Sequence, residues 1–151
     1  MAMTQRARGP ISAGVGMAVV LSLALTMTMA MPGPIRGAQP IPKIAITTVP
    51  PYDPVGGPEK TDPIGGNVTG AADCPECHIV IFAHTDLWYV QPFVSSPYTK
   101  IEGGRWHTIS HLGAEYTAVL VRPAYRPPAT TDALPSLGKD VLAIVTVPGR
   151  K

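Results

Sequence analysis

The sequence has little charge, and its charged residues are not clustered. Lys, Arg, Asp and Glu make up 15% of the 151 residues, and the formal net charge is +2. Arg6 and Arg8 account for this excess, because the chain after residue 30 carries ten basic and ten acidic side chains. A protein that binds nucleic acid needs clustered Lys and Arg to meet the phosphates. The composition therefore predicts no nucleic-acid partner.

Acidic residues are absent from the first 52 positions, and methionine is absent after Met31. The segment before Pro32 combines basic residues, an apolar run starting at Ile11, and small residues at its end. These are the three parts of a secretory signal peptide. We predict a signal helix over residues 1–30, cleavage after Ala30, and a secreted or cell-envelope location, periplasmic or extracellular. The alternative is an uncleaved membrane anchor, because the apolar run approaches the ~20 residues that a spanning helix needs.

Proline is concentrated in the next part of the chain. Nine of the 18 prolines lie between residues 32 and 63. Because proline fixes φ and donates no backbone hydrogen bond, it is excluded from helix interiors and central strands. Residues 31–63 are therefore predicted to form an extended, semi-rigid linker. Residues 44–49 are the one β-favouring stretch within it and are a candidate first strand.

From residue 64 onwards, short apolar runs alternate with turn signals about every ten residues, which is typical of an all-β fold. Strands are predicted over residues 66–70, 78–84, 87–93, 105–110, 114–122 and 141–147. The runs 79–82 and 118–121 are continuously apolar, which suits strands that are buried on both faces. We predict a small antiparallel β-sandwich over residues 64–151.

Cysteine occurs only at Cys74 and Cys77, and His78 follows directly. In an oxidising compartment the two thiols are expected to form a local disulfide that fixes the turn before a strand. The same C-x-x-C-H string is also a c-type haem attachment signature, half of a zinc site, or a redox pair if a helix follows it. The strand predicted at 79–82 disfavours haem and redox chemistry. We predict no cofactor and no metal, with Cys74, Cys77 and His78 as the alternative haem or metal ligands.

Aromatic residues make up only 6% of the chain, but several lie close together between residues 88 and 106. Successive strand side chains point to opposite faces, so one of the rings of Trp88 and Tyr89 points inward and the other outward. Exposed rings stack on sugar rings, whereas buried rings fill the core of a small β-sandwich, which is the simpler interpretation. The candidate ligand-binding residues are Trp88, Tyr89, Tyr98 and Trp106. No nucleophile elbow is present, and we expect no enzymatic activity.

Several segments resemble a known group of proteins. They are 87–92, 96–99, 104–106, Thr108, 111–113 and 116–123. Together they resemble small accessory modules of secreted bacterial proteins, which are β-sandwiches of the immunoglobulin-like or carbohydrate-binding type. The resemblance covers residues 64–147 and departs from the group at residues 74–78. It implies an immunoglobulin-like fold and no set of catalytic residues.

These expectations combine into one predicted function and two alternatives. The prediction is an exported, non-catalytic recognition module of the cell envelope that binds polysaccharide through aromatic stacking. Its expected partners are polysaccharides or envelope proteins, with membrane contact only through an uncleaved N-terminal segment. The alternatives are a c-type haem or metal-binding protein that uses the cysteines, and a structural envelope domain with no small ligand.

Overall fold

The computed structural model describes residues 40–151, which form nine strands in two antiparallel sheets. In chain order these are β1 (Lys43–Thr48), β2 (Thr61–Thr69), β3 (His78–His84), β4 (Trp88–Gln91), β5 (Tyr98–Lys100), β6 (Arg105–His111), β7 (Glu115–Val121), β8 (Thr130–Thr131) and β9 (Val141–Pro148). The smaller sheet has the order β1-β2-β6. The larger has the order β8-β4-β3-β7-β9, and β5 also pairs with β3. The predicted all-β antiparallel sandwich is confirmed.

The described part of the chain contains no helix, and therefore none that is long and apolar enough to cross a bilayer. The predicted signal helix at residues 1–30 lies outside the described residues.

The start of the sandwich lies upstream of residue 64. β1 pairs with β2, and Pro50 is fully buried. The backbone N–H of Tyr52 donates to the carbonyl oxygen of Arg150 at 2.9 Å. Residues 43–63, which the proline content alone assigns to the linker, are therefore part of the sandwich. Their prolines are accommodated because most of them lie outside the paired strands. Residues 31–39, the rest of the predicted linker, lie outside the described residues.

Strand β2 begins earlier than the sequence predicts because it tolerates a proline at one position. Pro63 pairs with Ile109 of β6, whereas β1 accompanies β2 only from Gly65 onwards. At Pro63, β2 is thus an edge strand, which is the position where a sheet accepts a residue without an N–H.

The main core lies between the two sheets. Ile64 and Val68 of β2 and Trp106 of β6 form its small-sheet side. Alternate residues of β3 and β7 form the opposite side; they are Ile79, Ile81, Ala83, Tyr116, Ala118 and Leu120. Since strand side chains alternate between faces, the remaining residues of β3 and β7 point to the outer face of the larger sheet.

A second core covers that outer face. Val80, Phe82, Trp88, Val90, Val119, Val121 and Val141 are buried there. Tyr125 and Leu134 pack over them, and both belong to the segment that joins β7 to β9. We call residues 122–140 the covering segment. It explains why β3 and β7 are buried on both faces, as their continuous apolar runs predict.

Candidate functional site

A groove of about 550 Å³ lies along one edge of the sandwich. Its lining comes mainly from β4 and the residues after it, the end of β6, and the loop between β1 and β2. Tyr89 pairs with Ala83, and Gln91 pairs with Ile81, so these β4 side chains share the face that Ala83 and Ile81 turn toward the interior. The lining residues are Val55, Gly57, Pro58, Ala83, Thr85, Asp86, Tyr89, Val90, Gln91, Pro92, Phe93, Val94, His111, Leu112, Ala129 and Thr130.

The rim of the groove is apolar and exposed. The Phe93 side chain is 52% exposed, and Val94 and Val55 are more exposed still. Phe93 lies edge-on to the His111 ring, with centroids 5.9 Å apart and an interplanar angle of 79°. Three of the seven exposed large apolar residues among residues 40–151 line this one groove. An apolar patch that is contiguous, rather than scattered singly, is suited to contact with a ligand.

One carboxylate is held at the side of the groove by two hydroxyl donors. Oδ1 of Asp86 accepts hydrogen bonds from Thr85 Oγ1 at 2.9 Å and from the Tyr89 hydroxyl at 3.0 Å. These bonds, with that of Thr85 first, lower the pKa of Asp86 below its usual value. The same contact raises the pKa of Tyr89. At neutral pH the site thus presents an ionised carboxylate beside a protonated phenol.

The floor of the groove contains a satisfied buried amide. The Gln91 side chain is only 3% exposed. Its Oε1 lies 3.0 Å from the backbone nitrogen of His111 and 2.8 Å from the Nδ1 of that ring. Its Nε2 donates to the carbonyl oxygen of Tyr89 at 3.2 Å. The amide therefore ties the end of β6 to β4 and fixes the orientation of the His111 ring.

The structure places the four candidate ligand residues in different environments. Trp88 is 8% exposed in the second core, and its ring centroid lies 4.6 Å from that of His84. Trp106 is 2% exposed in the main core, where its Nε1 is the one fully buried side-chain polar atom without a partner among the described residues. Neither indole offers a face to a ligand. Both fill the core, as the simpler interpretation expects.

The two tyrosines also differ. Tyr89 is half-buried and lines the groove. Tyr98 lies elsewhere: its hydroxyl donates to the carbonyl oxygen of Tyr125 at 2.7 Å and so anchors the covering segment. The sequence interpretation missed Phe93, Val94 and His111. The only sequence signal for the first two is an apolar pair directly after Pro92, where a turn is expected.

The cysteines form the predicted disulfide. Cys74 and Cys77 are bonded, with Cα atoms 5.2 Å apart, within the usual disulfide range. Both are buried against the main core. Since each sulfur is bonded to the other, neither is available for a thioether to haem or as a thiolate ligand. A strand, β3, follows them directly, where haem attachment or redox chemistry favours a helix.

The described residues do not gather metal ligands in one place. Among residues 40–151, no group of three or more His, Cys, Asp or Glu side chains is positioned to hold a metal ion. His78, the third member of the alternative ligand set, packs against Tyr98 with the two rings tilted by 59° and their centroids 5.7 Å apart.

The fold and the disulfide define the class of protein: a small all-β protein of two sheets with one local disulfide. No protein-family model, curated protein or solved structure matches this chain. Because a fold does not specify a function, the function has to follow from the groove.

Proposed function

We propose that this chain is an exported, non-catalytic recognition module of the cell envelope that binds polysaccharide in the groove beside Tyr89. The observation that carries the proposal is the combination of an exposed ring, Phe93, and a half-buried ring, Tyr89, along one open groove. The apolar C–H face of a sugar would pack on these rings. Its hydroxyl groups would meet Asp86 and His111, and such a site needs only a few placed polar groups.

An immunoglobulin-like arrangement of the sandwich is part of the proposal. Strands β1, β2 and β6 share one sheet and β3, β7 and β9 share the other, as strands A, B, E and C, F, G do in that fold. The Tyr116 hydroxyl, near the start of β7, accepts from the Gly113 N–H and donates to the Pro51 carbonyl, both at 2.9 Å. A tyrosine bonded in this way near strand F is a feature of that fold. The present disulfide is local, whereas antibody domains join their two sheets.

Export is supported by the N-terminal sequence and by the chemistry of the cysteines. The basic, apolar and small-residue parts of residues 1–30 are those of a signal segment. A disulfide is stable in the oxidising compartments that such a segment leads to.

Binding to soluble polysaccharides, measured by affinity electrophoresis and calorimetry, tests the function. A ring stacked on a sugar contributes about 1 kcal/mol. Tyr89→Ala and Phe93→Ala should each weaken binding about fivefold, and the double variant more than tenfold. Tyr52→Ala is the matched control, because Tyr52 is 48% exposed and does not line the groove.

The burial of Trp88 and Trp106 favours a second candidate function, a structural envelope domain with no small ligand. The same experiment separates the two. If no polysaccharide binds at millimolar concentration, recognition of polysaccharide is refuted and the structural function is the one supported.

A further inference from the structure

The groove contains a histidine whose protonation pattern is set by its neighbours. Oε1 of Gln91 faces the His111 backbone N–H at 3.0 Å, so this atom must be the acceptor. The Nδ1 of His111 lies 2.8 Å from the same oxygen and must therefore carry a hydrogen. In the neutral ring the hydrogen on Nδ1 leaves Nε2 as an acceptor. The buried amide thus fixes the neutral His111 ring in the form that has Nε2 as its acceptor, in a residue that lines the groove.

Within residues 40–151, the groove lining carries one charged side chain, and its charge is negative. Asp86 is the only Asp, Glu, Lys or Arg among the lining residues that the structure describes. Its Oδ1 accepts from two hydroxyl donors, and the backbone N–H groups of Asp86 and Leu87 also interact with this carboxylate and help to lower its pKa. The nearby cation Lys60 is 2.7 Å from Asp53 and is not part of the lining. The groove therefore offers acceptors for hydroxyl groups and no fixed positive charge for an anion.

We propose that the groove selects uncharged, hydroxyl-rich glycans and rejects glycans that carry carboxylate or sulfate groups. This inference rests on the proposed function and specifies its ligand class. Sugar hydroxyls donate to the Asp86 carboxylate and to His111 Nε2 while the sugar ring packs on Tyr89 and Phe93. An anionic substituent would lie beside Asp86 without a counter-charge. At about 5 Å, repulsion between two such charges at a protein surface weakens binding roughly tenfold or more.

The test uses polymers that share a backbone and differ in charge. Dextran is compared with carboxymethyl dextran, and hydroxyethylcellulose with carboxymethylcellulose. Binding is measured by calorimetry on the chain without residues 1–30, the predicted export segment. In wild-type protein the neutral member of a pair that binds should bind at least tenfold more tightly. Because exposed charges are screened by salt, the preference should shrink as the salt concentration rises.

Asp86→Asn tests the cause of the selectivity. The amide oxygen still accepts from Thr85 and Tyr89, so the local structure is retained. This variant should raise the affinity for the carboxymethylated polymer and narrow the preference severalfold. Glu102→Gln is the control, because it removes the same charge at the opposite end of β6, beside the turn that precedes Arg105, and should leave the preference unchanged.

The possible results separate the two proposals. A charged polymer that binds wild-type protein as tightly as its neutral partner overturns the selectivity and leaves the proposed function standing. An unchanged preference in Asp86→Asn overturns the assignment to Asp86. If no member of either pair binds, the neutral members included, and the wider polysaccharide panel also fails, the proposed function falls and the selectivity falls with it.

Discussion

Replacing Tyr116 with phenylalanine removes one oxygen atom that joins three parts of the chain. Tyr116 is fully buried, and its hydroxyl accepts from the Gly113 N–H and donates to the Pro51 carbonyl. Leaving the buried N–H without a partner costs about 1–3 kcal/mol, and losing the bond to the partly exposed carbonyl costs about 1 kcal/mol. We expect Tyr116→Phe to lower the free energy of unfolding by about 3 kcal/mol, or roughly 10 °C in Tm.

Urea denaturation followed by fluorescence measures this loss. The midpoint should fall while the slope m stays constant, because the variant does not change the surface exposed on unfolding. Tyr125→Phe is the matched control: Tyr125 is half-buried, and within residues 40–151 its hydroxyl makes no hydrogen bond. That control should change stability by less than about 0.5 kcal/mol. A Tyr116→Phe variant as stable as the control would refute the role given to this hydroxyl.

Two further predictions concern positions where the backbone or a crosslink is critical. A β-carbon at Gly66 would overlap the Ala45 carbonyl oxygen and lie 2.8 Å from Trp106 Cζ2, so Gly66→Ala should lower the free energy of unfolding by at least about 1–3 kcal/mol, measured by thermal unfolding. The control is Gly138→Ala, whose β-carbon would meet nothing within 4 Å. Equal melting temperatures for the two variants would contradict the close packing at Gly66. Reduction of the Cys74–Cys77 disulfide should lower the free energy of unfolding by roughly 2 kcal/mol, because the short loop that it closes constrains the unfolded chain only modestly. Complete unfolding on reduction would show that the disulfide stabilises the fold by more than loop closure explains.

The strands could be predicted where the signal is local. Residues 78–84 form β3 as predicted, because their β-branched content and flanking turns act within the segment itself. The turn at Gly103 and Gly104 also has a local cause, because both residues have positive φ, 57° and 75°, which glycine adopts without strain. In contrast, β5 and β8 are three and two residues long. They are strands only because β3 and β4 lie beside them, which no local pattern reveals.

The groove was predictable only in part, for the same reason. The density of aromatic residues pointed to residues 88–106, and of the four candidate residues only Tyr89 lines the groove. Whether a ring is buried depends on which residues cover its face, and these residues are distant from it in the sequence. Trp106 is buried in the main core, against the opposite sheet, and Trp88 is buried in the second core. His111 joins the site only because Gln91, 20 residues away in sequence, binds its backbone and ring.

The covering segment connects the second core to the groove. Its Tyr125 and Leu134 bury the outer face of the larger sheet. Between them, the carbonyl oxygen of Ala129 accepts from the Val90 N–H at 3.0 Å, and Thr130 pairs with Tyr89. Ala129 and Thr130 themselves line the groove. The segment that completes the core therefore also holds the strand bearing Tyr89 and supplies one wall of the groove.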